Sequence, residues 1–460
     1  MNSSTAESPL VQIGRAPRPS TPAPPAVPRA FHLFPTEFGE HLLLVNGSRV
    51  FSVPGDVAAA LRGDEAGAAR LLVELGLDAP AYIDDEPLSE APVRALSLAV
   101  AQKCNLGCTY CYAQEGNFGV REQEMSPEAA RAAVELLFSE AGPGDRLSLS
   151  FLGGEPLTNR ALLRECTERA AALAEVSGAR VGFSVTTNGT LVTPDDGRFF
   201  ERHGFAVTVS LDGVGDAHDR LRPFKSGRGS YARVLENVRP LLSMQRRMQV
   251  SARVTVTPDN LELRETLDAF LALGFHSVGF SPMLSSPTGA GAMDAGALEA
   301  MLAAMVSCGE EFERRVARGE RYAFLNLSNA LEQIHKGTHR PYPCGAGAGY
   351  FGVSAEGGLY ACHRFVEDAA GALGDVSSGV DRARQGRWLA ERHVHRQEPC
   401  RSCWARYLCG GGCHHEVINR GRPACDYIRG WLHYCLQAYI RLLERRPDYF
   451  SRAAAPSTTS

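Results

Sequence analysis

The chain has 460 residues, 44% hydrophobic and 22% charged, with a formal net charge of −4. Its length predicts two or three domains rather than one core, and a near-neutral balance without a dense Lys/Arg stripe offers no field for nucleic acid. No apolar run approaches the roughly 20 residues that span a bilayer, and the N-terminus has neither a basic nor an apolar leader segment, so a cytoplasmic protein is expected.

Residues 1–30 are rich in Pro, Ala and Ser and predict a disordered tail. A small α+β domain over 31–90 follows. Leu42 to Val45 and Val50 to Val53 flank Asn46-Gly47, a hairpin signal because both turn positions tolerate positive φ. Helical patterns come next, over Val57 to Leu61 and Ala68 to Leu75. An exposed hairpin edge can capture a peptide as an added strand; a structural cap is the equal alternative.

From 91 to 300 strand and helix patterns alternate. Strands are predicted over Val93–Val100, Leu147–Leu152, Val181–Thr187, Phe205–Leu211, Val250–Thr257 and Val278–Met283. The first helix between them starts with Ser126 as N-cap and Pro127 at its first position. Repeated βα units imply right-handed crossovers and a parallel sheet, with chemistry at the carboxyl ends of the strands. A helical bridge is expected over 301–340, a cysteine-rich domain over 341–440 and a tail over 441–460. Cys166 and Cys308 sit on apolar helical stripes and read as core packing.

Thirteen cysteines in a chain without an export signal argue against a disulfide framework. Cys104, Cys108 and Cys111 lie on one short loop after the first barrel strand. Three thiolates there can hold three irons of a cubic cluster and leave the fourth open for chemistry; a zinc knuckle is the competing reading. Gly153-Gly154-Glu155-Pro156 ends the second strand, Thr187-Asn188-Gly189 the third, and Ser210-Leu211-Asp212-Gly213 the fourth. Glycines admit close approach of a ligand, and a carboxylate can accept from an ammonium. A second cysteine field holds Cys344, Cys362, Cys400, Cys403, Cys409, Cys413 and Cys425, with Gly410 to Gly412 free to turn amides toward a cluster.

Together these motifs resemble the radical S-adenosylmethionine peptide maturases that carry a C-terminal SPASM extension. The resemblance spans about residues 31–440 and implies a partial (β/α)6 barrel with a small N-terminal α+β domain and a SPASM iron–sulfur domain. It implies three [4Fe-4S] clusters and S-adenosylmethionine, split reductively to a 5′-deoxyadenosyl radical, with electrons from a flavodoxin or ferredoxin. Carried over, Cys104, Cys108 and Cys111 hold the radical cluster. Cys344, Cys362 and Cys413 hold one auxiliary cluster, and Cys400, Cys403, Cys409 and Cys425 the other, with Cys435 an alternative ligand. Gly153, Gly154, Glu155, Asn188, Ser210 and Arg222 are implied around the methionine moiety and Tyr110 beside the adenine.

The stretches around Cys344, Cys362 and Cys400 look most like the maturases of quinohemoprotein amine dehydrogenase, which join Cys sulfur to Asp and Glu side-chain carbons of a small protein subunit. Formylglycine-forming sulfatase maturases are the sister possibility, with carbon–carbon crosslink formation a further alternative. In those the residue after the second SPASM cysteine is an Asp, whereas here it is His363, a candidate base or a structural neighbour of the cluster. A non-enzymatic iron–sulfur carrier is the alternative from another class.

Overall fold

The computed structural model describes residues 30–450 apart from 79, 84 and 85. The predicted tail over 1–30 lies outside them except for residue 30, as do the last ten residues of the tail over 441–460.

The N-terminal unit is an antiparallel sheet of β1 (Phe31–Thr36), β2 (Gly39–Leu44) and β3 (Arg49–Val53), followed by α1 (Gly55–Leu61) and α2 (Glu65–Glu74). The predicted hairpin is present as β2–β3. Its positive φ angles fall on Gly47 (84°) and Ser48 (48°) rather than on Asn46-Gly47, because the connection is four residues long and turns later. Strand β1 is an addition to the elements expected from sequence. Alternation along β2 splits the sheet: Leu42 and Leu44 pack with Leu61, Ala68 and Leu72, while Leu43 joins the main core with Phe34 of β1. The His32 ring of β1 stacks on Trp404, 3.8 Å between centroids and 6° between planes.

The barrel consists of β4 (Ala95–Gln102), β6 (Arg146–Gly153), β7 (Arg180–Thr187), β8 (Ala206–Ser210), β9 (Gln249–Val256) and β10 (Val278–Pro282), with β5 (Gln123–Glu124) pairing the end of β4. All neighbours in the order β10-β9-β8-β7-β6-β4 are parallel. Its helices are α3 (Pro127–Phe138), α4 (Arg160–Ser177), α5 (Pro194–His203), α6 (Asp216–Leu221), α7 (Tyr231–Met244) and α8 (Leu263–Ala272). Ser126 Oγ accepts from the Ala129 amide at 3.1 Å and Pro127 opens α3, as its sequence predicts. Period-two burial is clear: Leu147, Leu149 and Phe151, then Phe183 and Val185, then Val207 and Val209 face the helices. The intervening Ser148, Ser150, Ser184 and Thr208 are partly accessible on the inner face.

The sheet does not stop at the barrel. After α9 (Ala295–Ala317) and α10 (Leu325–His335), β11 (Tyr350–Val353) adds to β4 in parallel, and β12 (Gly358–Tyr360), β13 (Ala372–Asp375) and β14 (Gly379–Val380) continue antiparallel. Strand β4 is buried along nearly its whole length on both faces, which suits a central strand with a neighbour on each side. The chain ends in α11 (Arg382–Arg392), α12 (Arg406–Cys409), α13 (His414–Arg420) and α14 (Cys425–Arg445), the last running unbroken past residue 440. Cys166 and Cys308 are buried core residues. Among the described residues no helix is long and apolar enough to cross a membrane.

Candidate functional site

Cys104, Cys108 and Cys111 lie on the loop that leaves β4 at its carboxyl end. The end of β6 clasps this loop through its backbone: the Gly154 amide donates to Ala101 O (2.8 Å) and the Glu155 amide to Lys103 O (2.9 Å). A Cβ on Gly154 would lie 2.2 Å from Lys103 O, and one on Gly116 would lie 2.6 Å from Cys104 Cβ. The glycines predicted to admit a ligand therefore also admit the chain's own thiol loop.

Cys104 Sγ accepts from the Leu106 amide at 3.4 Å and from Asn188 Nδ2 at 3.6 Å. Asn188 Nδ2 also donates to Asn105 Oδ1 (2.9 Å), and Asn105 Nδ2 to Thr190 Oγ1 (2.8 Å). Asn105 and Thr190 escaped the sequence reading; nothing in their spacing marks them. The three thiols act electrostatically on one another, and burial pushes Cys104 and Cys108 up to about 11. Thiolates at these positions therefore call for positive charge nearby.

Glu155 is fully buried. Its Oε1 accepts from the Leu157 amide (3.1 Å) and Thr187 Oγ1 (2.7 Å), and its Oε2 from the Asn188 amide (2.7 Å). Burial raises its carboxyl against these donors. The carboxylate thus ties the ends of β6 and β7 together, and Oε2 keeps capacity for a further donor such as an ammonium.

Arg222 Nη1 donates to the Tyr110 hydroxyl at 2.7 Å and lies 3.5 Å from Asp212 Oδ2; Tyr110 in turn donates to Asp212. Asp212 Oδ1 accepts from the Thr255 amide at 2.8 Å. Arg222 sends positive charge toward Cys108, Cys104 and Cys111. The Tyr110 hydroxyl is engaged within this triad, so any contact with a nucleotide falls to its ring. Ser210 ends β8 beside Arg253 of β9.

The second cysteine field separates in space into two sets. Cys344, Cys362 and Cys413 are mutual electrostatic neighbours, and so are Cys400, Cys403, Cys409 and Cys425. The latter four line one cavity with Arg422 and Arg429, and Cys413 of the first set reaches its wall. Gly411 and Gly412, both at positive φ, turn their amides onto the Cys409 sulfur. Cys435 sits apart, fully buried in α14 with Glu313 as its charged neighbour. Among the described residues no three Cys, His, Asp or Glu side chains are grouped for one metal ion. All-thiolate sets fit an iron–sulfur cube, which spreads its ligands wider than one tetrahedral ion does.

His363 bridges the two regions. Its Nδ1 lies 2.8 Å from the Tyr350 hydroxyl, and its ring meets Tyr112 edge-on, 6.1 Å between centroids. Burial, then the charges of Arg364, His415 and Arg253, pull it down to about 4.

Comparison with known proteins agrees with this layout. Residues 98–271 match the family model described as "Radical SAM superfamily". The chain is 26% identical over 360 residues to a serine-type anaerobic sulfatase-maturating enzyme of Klebsiella aerogenes, covering 75% of this chain and 85% of the relative. Among solved structures, "Native anSMEcpe with bound AdoMet" aligns with a TM-score of 0.63 at 20% identity, over 77% of this chain and 98% of that one. "Native anSMEcpe with bound AdoMet and Cp18Cys peptide" aligns with a TM-score of 0.62 at 19% identity, over 77% and 98%. Residues 98–271 are a radical SAM domain, and the chain is an enzyme of that kind, homologous to the anaerobic sulfatase-maturating enzymes.

Proposed function

We propose that this enzyme modifies a peptide or small protein subunit, joining a Cys sulfur to a side-chain carbon of Asp or Glu with net loss of two hydrogens. The carrying observation is the sorting of ten cysteines into sets of three, three and four, one at the end of the first barrel strand. The donor sets fit three [4Fe-4S] clusters. When bound, such a cluster with S-adenosylmethionine supplies hydrogen-atom abstraction from unactivated carbon.

The chain's own residues orient and shield that chemistry. Asn188 and the Leu106 amide hold the Cys104 sulfur by hydrogen bonds. Arg222, braced by Tyr110 and Asp212, favours thiolates on the loop and offers a two-point partner for the methionine carboxylate. Glu155 Oε2 can take the methionine ammonium. Cys344, Cys362 and Cys413 would give three thiolates to a four-iron cube, which would leave a ligand position for a substrate thiol; Cys435 is fully buried in α14 beside Glu313 and is not among the charged neighbours of that set. His363, beside Cys362 and held by the Tyr350 hydroxyl at Nδ1, is the candidate acceptor of that thiol's proton, although burial weakens it as a base.

Formylglycine formation is the second reading, favoured by the similarity to a serine-type sulfatase maturase. Anaerobic reconstitution followed by dithionite reduction should release 5′-deoxyadenosine from S-adenosylmethionine, with about twelve irons per chain. A peptide encoded beside this chain should then lose two hydrogens per bond and become unreactive to thiol alkylation. Aldehyde capture by a hydrazide with its thiols still free would mean formylglycine instead. A reconstituted protein that binds clusters yet releases no 5′-deoxyadenosine would be an electron carrier.

A further inference from the structure

Small polar side chains make up much of the inner face of the barrel in its middle strands. Ser148, Ser150, Ser184, Thr186, Thr208 and Ser251 point inward, and in the middle of β9 so does Arg253. In the sheet register Arg253 stands between Ser210 on β8 and Gly279 on β10. A Cβ on Gly279 would come within 3.4 Å of Arg253 Nη1, which places the guanidinium over β10. Arg253 donates to Ser281 Oγ, and no carboxylate pairs with it among the described residues. It is nonetheless solvent-accessible, which for a mid-strand inner residue means that it faces the open interior.

An accessible guanidinium inside the barrel with no carboxylate of its own is open to a ligand that brings one. Arg222, Asp212 and Tyr110 form a separate group beside the thiol loop, whereas Arg253 acts on His363, next to Cys362. It therefore lies on the inner face within electrostatic reach of His363, on the side of the nearer auxiliary set.

We infer that Arg253 is the specificity-determining residue for the peptide, taking the side-chain carboxylate of an Asp or Glu in a two-point pair within the barrel. This rests on the peptide-modifying reading above and names what that site selects. The guanidinium fork matches a carboxylate; a carboxamide offers one acceptor and places an N–H against a cation. Ser281 keeps one edge of the fork aligned.

Two labelled hexapeptides, differing only in a glutamate or a glutamine two residues from a cysteine, test this by fluorescence anisotropy on the reconstituted, unreduced protein. The wild type should bind the glutamate peptide about tenfold more tightly, Arg253→Gln should bind both equally, and Arg253→Lys should keep part of the preference. Equilibrium dialysis should show the same S-adenosylmethionine retention in wild type and Arg253→Gln. Equal affinities in the wild type, a preference that survives in Arg253→Gln, or loss of S-adenosylmethionine by that variant would each overturn the assignment. The last result would give the guanidinium to the nucleotide's own carboxylate. Because these are binding readouts without reductant, they fail separately from the proposed bond formation.

Discussion

Asn188 Nδ2 lies 3.6 Å from Cys104 Sγ, linking the end of the third barrel strand to the first thiol of the loop. One amide group thus serves both a sulfur and the neighbouring Asn105. Hydrogen bonds to a ligand sulfur orient it and lower the charge it carries. Asn188→Ala should retain the fold but bind its loop cluster about 10–100-fold more weakly. Iron and sulfide released from that variant under chelator challenge would measure it; wild-type retention would remove Asn188 from the metal's surroundings.

Gly154→Ala is expected to be far more damaging than its size suggests. The new methyl group meets Lys103 O at 2.2 Å, backbone against backbone, and neither side has a rotamer to yield. The cost should exceed about 4 kcal/mol, in the range reserved for overpacking without escape. Thermal unfolding should show it as a large fall in midpoint even before metal is added.

Cys425 and Cys435 lie on the same helix and should respond oppositely. Cys425→Ala removes a member of the four-thiol set and should lower iron content toward two clusters per chain. Cys435→Ala should keep all its iron and lose about 1–3 kcal/mol of stability, since the sulfur is fully buried packing. Iron analysis beside denaturant unfolding of the two variants separates ligand from filler.

His218 predicts an acid-side instability. It is fully buried, accepting from the Asp212 amide at 3.2 Å and lying 3.0 Å from Ser230 Oγ, and burial followed by the charge of Arg222 pulls it down to about 3. The unfolded chain would take up a proton near pH 6.5 that the folded one refuses until about pH 3. Between those values the unfolded state binds more protons, so stability falls as pH falls, by about 1.4 kcal/mol per pH unit from this group. Urea midpoints of wild type and His218→Gln should converge on acidification from about pH 7 to about pH 5; a constant gap would show that His218 charges in the folded state.

The thiol loop, the strand-end motifs, the six barrel strands and the Ser126 cap were legible in the chain itself. Each rests on spacing over a few residues: period two for a strand buried on one face, a cap three residues before its amide, three thiols on one loop. The roles of the motifs were legible less completely. Glu155 reads as a ligand group, yet its oxygens first serve the Leu157 and Asn188 amides and Thr187. Tyr110 reads as a base-stacking ring, yet its hydroxyl belongs to Arg222 and Asp212.

Only the tertiary structure decided that β11 would extend the barrel sheet, that Cys425 rather than Cys435 would join the four-thiol set, and that Arg253 would stand inside the barrel with no carboxylate partner among the described residues. These outcomes depend on residues far apart in the chain, such as Tyr350 beside Ala95 and Gly279 beside Arg253. Local spacing states which groups a strand or loop can offer. Which of them meet is set by long-range packing, where burying apolar faces competes with pairing every buried polar group.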